Sequence, residues 1–73
     1  MTLNEFVDCF AAELDETPKE LLNPETVYRD LDEWDSLAVL SIISMIDEEF
    51  GKTVTGANLR EHATIKDLYN FLQ

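Results

Sequence analysis

The sequence has little of what small proteins use as covalent or metal staples, because it contains one cysteine, Cys9, and one histidine, His62. A single cysteine cannot form an internal disulfide or hold a zinc ion alone, which favours a reducing compartment. The 73 residues include only two glycines and two prolines, while 45% are hydrophobic. This composition excludes a disordered tail and predicts one small folded domain over residues 1–73.

Basic residues are also scarce, with five lysines and arginines against sixteen acidic residues and a formal net charge of −11. Phosphate backbones and anionic lipid headgroups repel such a chain, which excludes nucleic acid and a bare membrane as partners. No apolar run approaches the roughly 20 residues that span a bilayer, and no basic region of a secretory signal opens the chain. We therefore expect a soluble, cytoplasmic protein that does not insert into membranes.

Apolar residues at helical spacing predict an all-α protein. The predicted segments run over about Thr2 to Leu14, Leu37 to Phe50, Gly56 to His62, and Thr64 to Leu72. Three longer helices and one short one predict a small four-helix bundle. A long structured loop from Asp15 to Asp35, interrupted by Pro18 and Pro24, separates the first two helices and is expected to hold one short helical turn.

The second predicted helix is the strongest helical segment. Its predicted core face consists of Val39, Ile42, Ile43, Ile46 and Phe50. Leu37 and Leu40 point away from that face, so they either form an exposed docking surface or pack beneath the preceding loop.

Nucleophiles and bases are too few for an active site of the protein's own. All three serines lie in the second helix, and a Ser-His-Asp arrangement would need His62 to meet one of them. The run that begins at Asp30 starts like a calcium loop, but Asp35 replaces the required glycine and Ser41 the required glutamate. We predict no catalytic residues, no metal site and no enzyme.

Ser36 occupies a position that suits a phosphoryl group. If Asp35 caps the second helix, Ser36 is its first residue, and free amides and the helix dipole lie behind its hydroxyl. Position alone leaves two interpretations open: a serine that only starts a helix, or a serine that carries a phosphodiester on its oxygen.

The pattern Asp30-Leu31, then Asp35-Ser36-Leu37 opening a long apolar helix that closes with Asp47-Glu48-Glu49-Phe50, resembles the acyl carrier protein family. The likeness covers nearly the whole chain, including its length, acidity, long loop and helix order. In that family the serine is esterified with 4′-phosphopantetheine from coenzyme A, and the thiol of this arm holds cargo as a thioester. The resemblance therefore implies Ser36 as the attachment point.

The resemblance also implies partners. Asp35 and Leu37 are the predicted recognition motif of a phosphopantetheinyl transferase, and Leu37, Leu40, Asp47 and Glu48 the predicted surface for partner enzymes. Those partners load, condense or transfer acyl or aminoacyl groups, and the carrier is expected to be a monomer. No lysine or arginine lies between Arg29 and Lys52, so the surface around Ser36 is expected to be acidic and to steer towards basic patches.

Departures from the family pattern point to a specialised pathway. Glu33-Trp34 precedes the motif where many fatty-acid carriers have small residues, and residues 38–41 lack the early acids of those carriers. Arg60 stands in a short helix that is acidic there. Polyketide-like, cell-surface or aminoacyl chemistry is favoured over housekeeping fatty-acid synthesis, and fatty cargo is expected to enter between the helices near Val39, Ile43 and Ile46.

Two alternatives remain. Trp34 either pins the long loop onto the core or contacts cargo or a partner. The whole chain is either a modified carrier or an unmodified helical interaction module that binds a partner helix through Leu37 and Leu40.

Overall fold

The computed structural model describes residues 1–73 as four α-helices and two short 3₁₀ turns. The helices are α1 (Leu3–Ala12), α2 (Ser36–Phe50), α3 (Gly56–Glu61) and α4 (Ile65–Leu72), and the turns Lys19–Leu21 and Tyr28–Asp30 lie between α1 and α2. No strand forms, and one isolated bridge pairs Val27 with Thr64. The predicted small all-α bundle is confirmed. None of its helices combines the length and hydropathy that crossing a membrane requires.

Side-chain caps determine where the helices begin. Three helices start with a capping box, in which a threonine and a first-turn residue exchange hydrogen bonds: Thr2 with Glu5, Thr55 with Asn58, and Thr64 with Asp67. α2 starts differently, because its cap is the Asp35 side chain alone. Gly51, the residue that follows the end of α2, has a φ of 65°. Glycine suits this left-handed position because it has no Cβ to clash.

The end of α1 differs from the prediction. The helix stops at Ala12, since the amides of Glu13 and Leu14 turn back to carbonyls three residues earlier, on Phe10 and Ala11. Such tight last turns are common at helix ends. Leu14 still reaches the core, which is why its apolar spacing extended the predicted helix by two residues.

The core is a single cluster of 15 buried side chains, none of them charged, and the Tyr28 hydroxyl within it is hydrogen-bonded. Its largest fully buried members are Tyr28, Phe6, Phe10, Ile42, Ile46, Leu59, Ile65 and Leu68. Each of these contributes roughly 1.5–3 kcal/mol through burial. Because all four helices and the long loop supply members, the loop is part of the folded body.

The core face of α2 is rotated from the predicted one. Ile42 and Ile46 are buried as expected, but Ala38 and Met45 are buried with them, while Val39, Ile43 and Phe50 are only half-buried. α2 is apolar around most of its circumference, so its periodicity alone does not fix which face turns inward. Val39 and Ile43 are thereby left at the surface between α2 and α3.

The long loop is held by aromatic stacking and backbone hydrogen bonds. The Trp34 ring stacks on Phe10, with centroids 6.2 Å apart and planes 8° from parallel, and lies 4.9 Å from the Tyr28 ring. The amides of Ile65 and Lys66 donate to loop carbonyls at distances of 3.1 and 2.9 Å. The interpretation that Trp34 pins the loop onto the core is confirmed.

Candidate functional site

Ser36 is the first residue of α2, and it is exposed. The Asp35 carboxylate accepts a hydrogen bond of 2.8 Å from the Ala38 amide, and the Asp35 carbonyl accepts one of 3.0 Å from Val39. These bonds fix the first turn of the helix. A phosphoryl group on the Ser36 oxygen would therefore lie beside first-turn amides and at the positive end of the helix dipole.

A groove of about 460 Å³ opens beside Ser36, between α2 and α3. We call it the apolar groove, because five of its nine lining residues are hydrophobic. Its lining consists of Trp34, Asp35, Ser36, Val39, Leu40, Ile43, Gly56, Leu59 and Arg60. The Trp34 side chain therefore both packs against the core and lines the groove that contains Ser36.

A second groove, of about 240 Å³, lies on the other side of the start of α2. We call it the acidic groove, because its lining holds five carboxylates: Glu13, Asp15, Glu16, Glu33 and Asp35. Leu37, Ala38 and Ser41 complete it. Asp35 lines both grooves, whereas Ser36 lines only the apolar one.

Glu33 organises the acidic groove. Its carboxylate accepts hydrogen bonds from the Thr17 hydroxyl at 2.7 Å and from the Glu16 amide at 3.0 Å. The bond from Thr17, followed by those from backbone amides, lowers the pKa of Glu33 from its ordinary value. An ionised Glu33 therefore ties the beginning of the long loop to its end.

Leu37 and Leu40 are exposed, at 72% and 60%, so packing beneath the loop is wrong. Leu37 borders the acidic groove and Leu40 the apolar groove, so the two side chains form a ridge between the grooves. Asp47 and Glu48 are also exposed, but they lie at least roughly 16 Å from Ser36 along α2, at a rise of about 1.5 Å per residue. Their place in a partner surface stays a prediction.

Residues 4–72 match the family model described as a phosphopantetheine attachment site. The chain belongs to this family. Its members are carrier domains that hold 4′-phosphopantetheine covalently, so the resemblance seen in the sequence is confirmed at the level of the family and its cofactor. No curated protein matches the chain in a sequence comparison.

The start of α2 fits the group that this carrier family holds. The Ser36 side chain is accessible, its helix end suits a phosphoryl group, and the apolar groove gives an arm a surface to lie on. The arm's thiol would supply the thioester chemistry.

Arg60 corrects the expectation of a uniformly acidic surface around Ser36. The spacing of basic residues along the sequence suggested no cation near the serine, yet Arg60 of α3 lines the same groove. Its Nη1 lies near Gly56, since a Cβ built on that glycine would be 3.5 Å from the nitrogen. Arg60 stood out in the sequence as a departure from the family, but a six-residue helix gave no signal of which groove it lines.

The remaining chemistry-bearing side chains of the carrier lie in structural contacts. His62 Nδ1 is 2.8 Å from the Asn58 carbonyl oxygen, and its ring lies against Phe71, so it meets no serine. Cys9 is half-buried, and burial raises the pKa of its thiol, with Glu49 the next cause. No group of three or more histidine, cysteine or acidic side chains has the arrangement of a metal site.

Proposed function

We propose that this carrier holds an acyl or aminoacyl group as a thioester on 4′-phosphopantetheine attached to Ser36. The carrier presents this cargo to enzymes of a specialised biosynthetic pathway, with polyketide-like, cell-surface and aminoacyl chemistry favoured over housekeeping fatty-acid synthesis. The observation that carries the proposal is the exposed Ser36 at the first position of α2, within a family match that spans residues 4–72.

Attachment at Ser36 is a phosphoryl transfer. The Ser36 oxygen forms a new bond to the phosphorus that bears the pantetheine in coenzyme A, and adenosine 3′,5′-bisphosphate leaves with the electrons of the broken P–O bond. The hydroxyl proton passes to a base of the phosphopantetheinyl transferase. The exposure of Ser36 and the first-turn amides beside it support this role.

Partners are proposed to dock on the ridge of Leu37 and Leu40 and on the acidic side of α2. Asp35 and Leu37 flank the serine and form the motif that the transferase recognises. Asp47 and Glu48 extend the acidic surface to the far end of the helix, where it steers basic partners. Such contacts are weak and sensitive to salt, as transfer between successive enzymes requires.

Apolar cargo is proposed to enter through the apolar groove. Val39 and Ile43 line this groove at the surface, and Ile46 is fully buried one turn further along the helix. The cargo therefore meets apolar side chains first at the surface and then beneath it. Deeper entry requires α2 and α3 to separate around Ile46.

Intact mass spectrometry tests the attachment. We expect one phosphopantetheinyl adduct after incubation with coenzyme A, Mg²⁺ and a broad-specificity transferase, its complete loss in Ser36→Ala, and its retention in Ser41→Ala, which changes a half-buried serine of the same helix. The double variant Asp47→Lys, Glu48→Lys is expected to react more slowly with partner enzymes at low salt, and the rates of these reactions are expected to depend less on salt than those of the wild type.

The outcomes separate two classes of protein. An adduct that persists in Ser36→Ala contradicts the assigned site. An unmodified wild type, beside a known carrier that is modified in the same tube, favours the alternative of an unmodified interaction module, which the exposure of Leu37 and Leu40 supports.

A further inference from the structure

The five basic side chains of the protein are distributed unevenly around its surface grooves. Lys19 forms the structure's one ion pair, at 2.9 Å from Asp8, and Arg29 donates a hydrogen bond of 2.9 Å to the Arg60 carbonyl. Lys19, Arg29 and the other two lysines line neither the apolar nor the acidic groove, and none of them lines a third groove, which the long loop forms between residues 16–21 and 30–33. Arg60 is the exception, and the groove it lines is the one that contains Ser36.

The guanidinium of Arg60 has no carboxylate partner, although the chain has sixteen acidic residues. Its side chain is exposed and lies over Gly56, where the missing Cβ leaves the groove open. An unpaired guanidinium offers up to five donors and pairs with phosphate oxygens in a two-pronged geometry. The apolar groove therefore presents an unused anion-binding group on the wall that faces α2.

The backbone beneath Arg60 is held firmly. The Tyr28 hydroxyl is shared between the carbonyls of Leu59 and His62, the residues on either side of the Arg60–Glu61 pair. Arg29 holds the Arg60 carbonyl itself. Because these bonds anchor the end of α3 to the long loop, the Arg60 side chain projects from a fixed base.

We propose that Arg60 pairs with the phosphodiester that joins the arm to Ser36 and directs the arm along the apolar groove, away from the acidic groove. This inference rests on the proposed attachment at Ser36. The phosphodiester is anionic and includes the Ser36 oxygen. Attraction to Arg60 on one side and repulsion by the four carboxylates that line only the acidic groove on the other therefore act in the same direction.

Arg60 is thus a positioning residue that acts on the arm and takes no part in bond making. The pair is exposed, so its effect is moderate and weakens with salt. Its consequence is directional: the arm starts beside Val39 and Leu40, where apolar cargo finds partners, and leaves the acidic groove free for docking.

Paramagnetic relaxation enhancement on the modified protein tests this direction. A coenzyme A analogue with a nitroxide on its thiol end, transferred enzymatically to Ser36, avoids labelling Cys9. The wild type, Arg60→Gln, Arg60→Lys and the matched control Lys52→Gln are compared at low and high salt, after intact mass has established the adduct. The Nε–H signal of Arg60 is followed on conversion from the unmodified to the modified wild type.

We expect the ratio of enhancement on α3 amides to enhancement on acidic-groove amides to fall about two- to five-fold in Arg60→Gln. Lys52→Gln keeps the wild-type ratio, Arg60→Lys restores part of it, and high salt lowers it in the wild type. The Arg60 Nε–H signal shifts on modification. Equal ratios in wild type and Arg60→Gln, with the adduct present, overturn the role of Arg60 alone, whereas absence of the adduct removes the proposed attachment as well.

Discussion

The two grooves that flank the start of α2 differ in chemistry although they share Asp35. The apolar groove is lined by five hydrophobic residues and one cation, Arg60, while the acidic groove holds five carboxylates and no basic residue. Ser36 opens only onto the first. With the proposed attachment at Ser36, one helix start would separate two tasks, with arm and cargo on one side and attraction of basic partners on the other.

The two grooves are also held together in different ways. Leu59, a core residue that is 1% exposed, forms part of the apolar groove, and the Tyr28 hydroxyl donates to the carbonyls of Leu59 and His62 behind it. The acidic groove depends on exposed hydrogen bonds from Thr17 and Glu16 to Glu33. Damage to the first should therefore cost global stability, and damage to the second much less.

The largest expected effect is that of Leu59→Ala. Removing this buried side chain leaves a cavity under the apolar groove and is expected to lower the free energy of unfolding by about 2–5 kcal/mol. Leu37→Ala, on the acidic groove, removes an exposed side chain and is expected to change it by at most about 0.5 kcal/mol. Urea unfolding of both variants measures the difference. Similar losses of unfolding free energy in the two variants would show that the two grooves contribute equally to global stability.

Tyr28→Phe has the next largest expected effect. The variant keeps the buried ring but leaves the carbonyls of Leu59 and His62 without their shared donor, at a cost of about 1–2 kcal/mol. In a domain of this size, each kcal/mol lowers the melting temperature by roughly 4–8 °C. Thermal unfolding at neutral pH measures the loss.

The same variant carries a pH signature. Burial raises the pKa of Tyr28 from 10.0 to about 12, so its contribution to stability is complete below pH 10 and disappears as the pH rises through about 12. The phenylalanine variant has no such group. The melting temperatures of wild type and variant should therefore converge above pH 10, and a constant difference up to pH 12 would contradict the role given to the hydroxyl.

Local signals made much of this architecture predictable from the sequence. Threonine capping boxes, Asp35 before Ser36, and Gly51 each act within a few residues, so helix starts and the position of Ser36 follow from short stretches of chain. Helical spacing also placed Leu37 and Leu40 away from the core face, but it left open whether they are exposed or pack beneath the loop, and only the structure shows that they are exposed.

What the sequence did not reveal depends on how distant elements pack. Arg60 reaches the groove of Ser36 from 24 positions away, and Tyr28 bonds to carbonyls 31 and 34 positions away. α2 is apolar on several faces, so its packing in the folded protein, where it contacts α1 and α3, decides that Met45 is buried and that Val39 borders a groove. A pattern of charges along the chain therefore could not predict that the surface beside Ser36 has an acidic side and a cationic side.

The smallest expected effect is that of Glu33→Gln, on the acidic groove. Because hydrogen bonds from Thr17 and the backbone lower the pKa of Glu33, the stabilisation by its carboxylate is present above pH 4.5 and is lost as the pH falls through the lowered value. Glutamine keeps an acceptor oxygen but loses the charge that strengthens both bonds.

Any single loss of negative charge also relieves repulsion in a chain of net charge −11, so Glu20→Gln, at an exposed acid outside this groove, is the matched control. We expect the melting temperature of Glu33→Gln at pH 7 to be lower than that of Glu20→Gln. This difference is expected to be smaller than the difference between Tyr28→Phe and wild type. Below pH 4.5 the melting temperatures of the two glutamine variants are expected to converge. Identical melting of both variants at pH 7 would mean that Glu33 contributes only charge to the acidic groove and does not hold the loop.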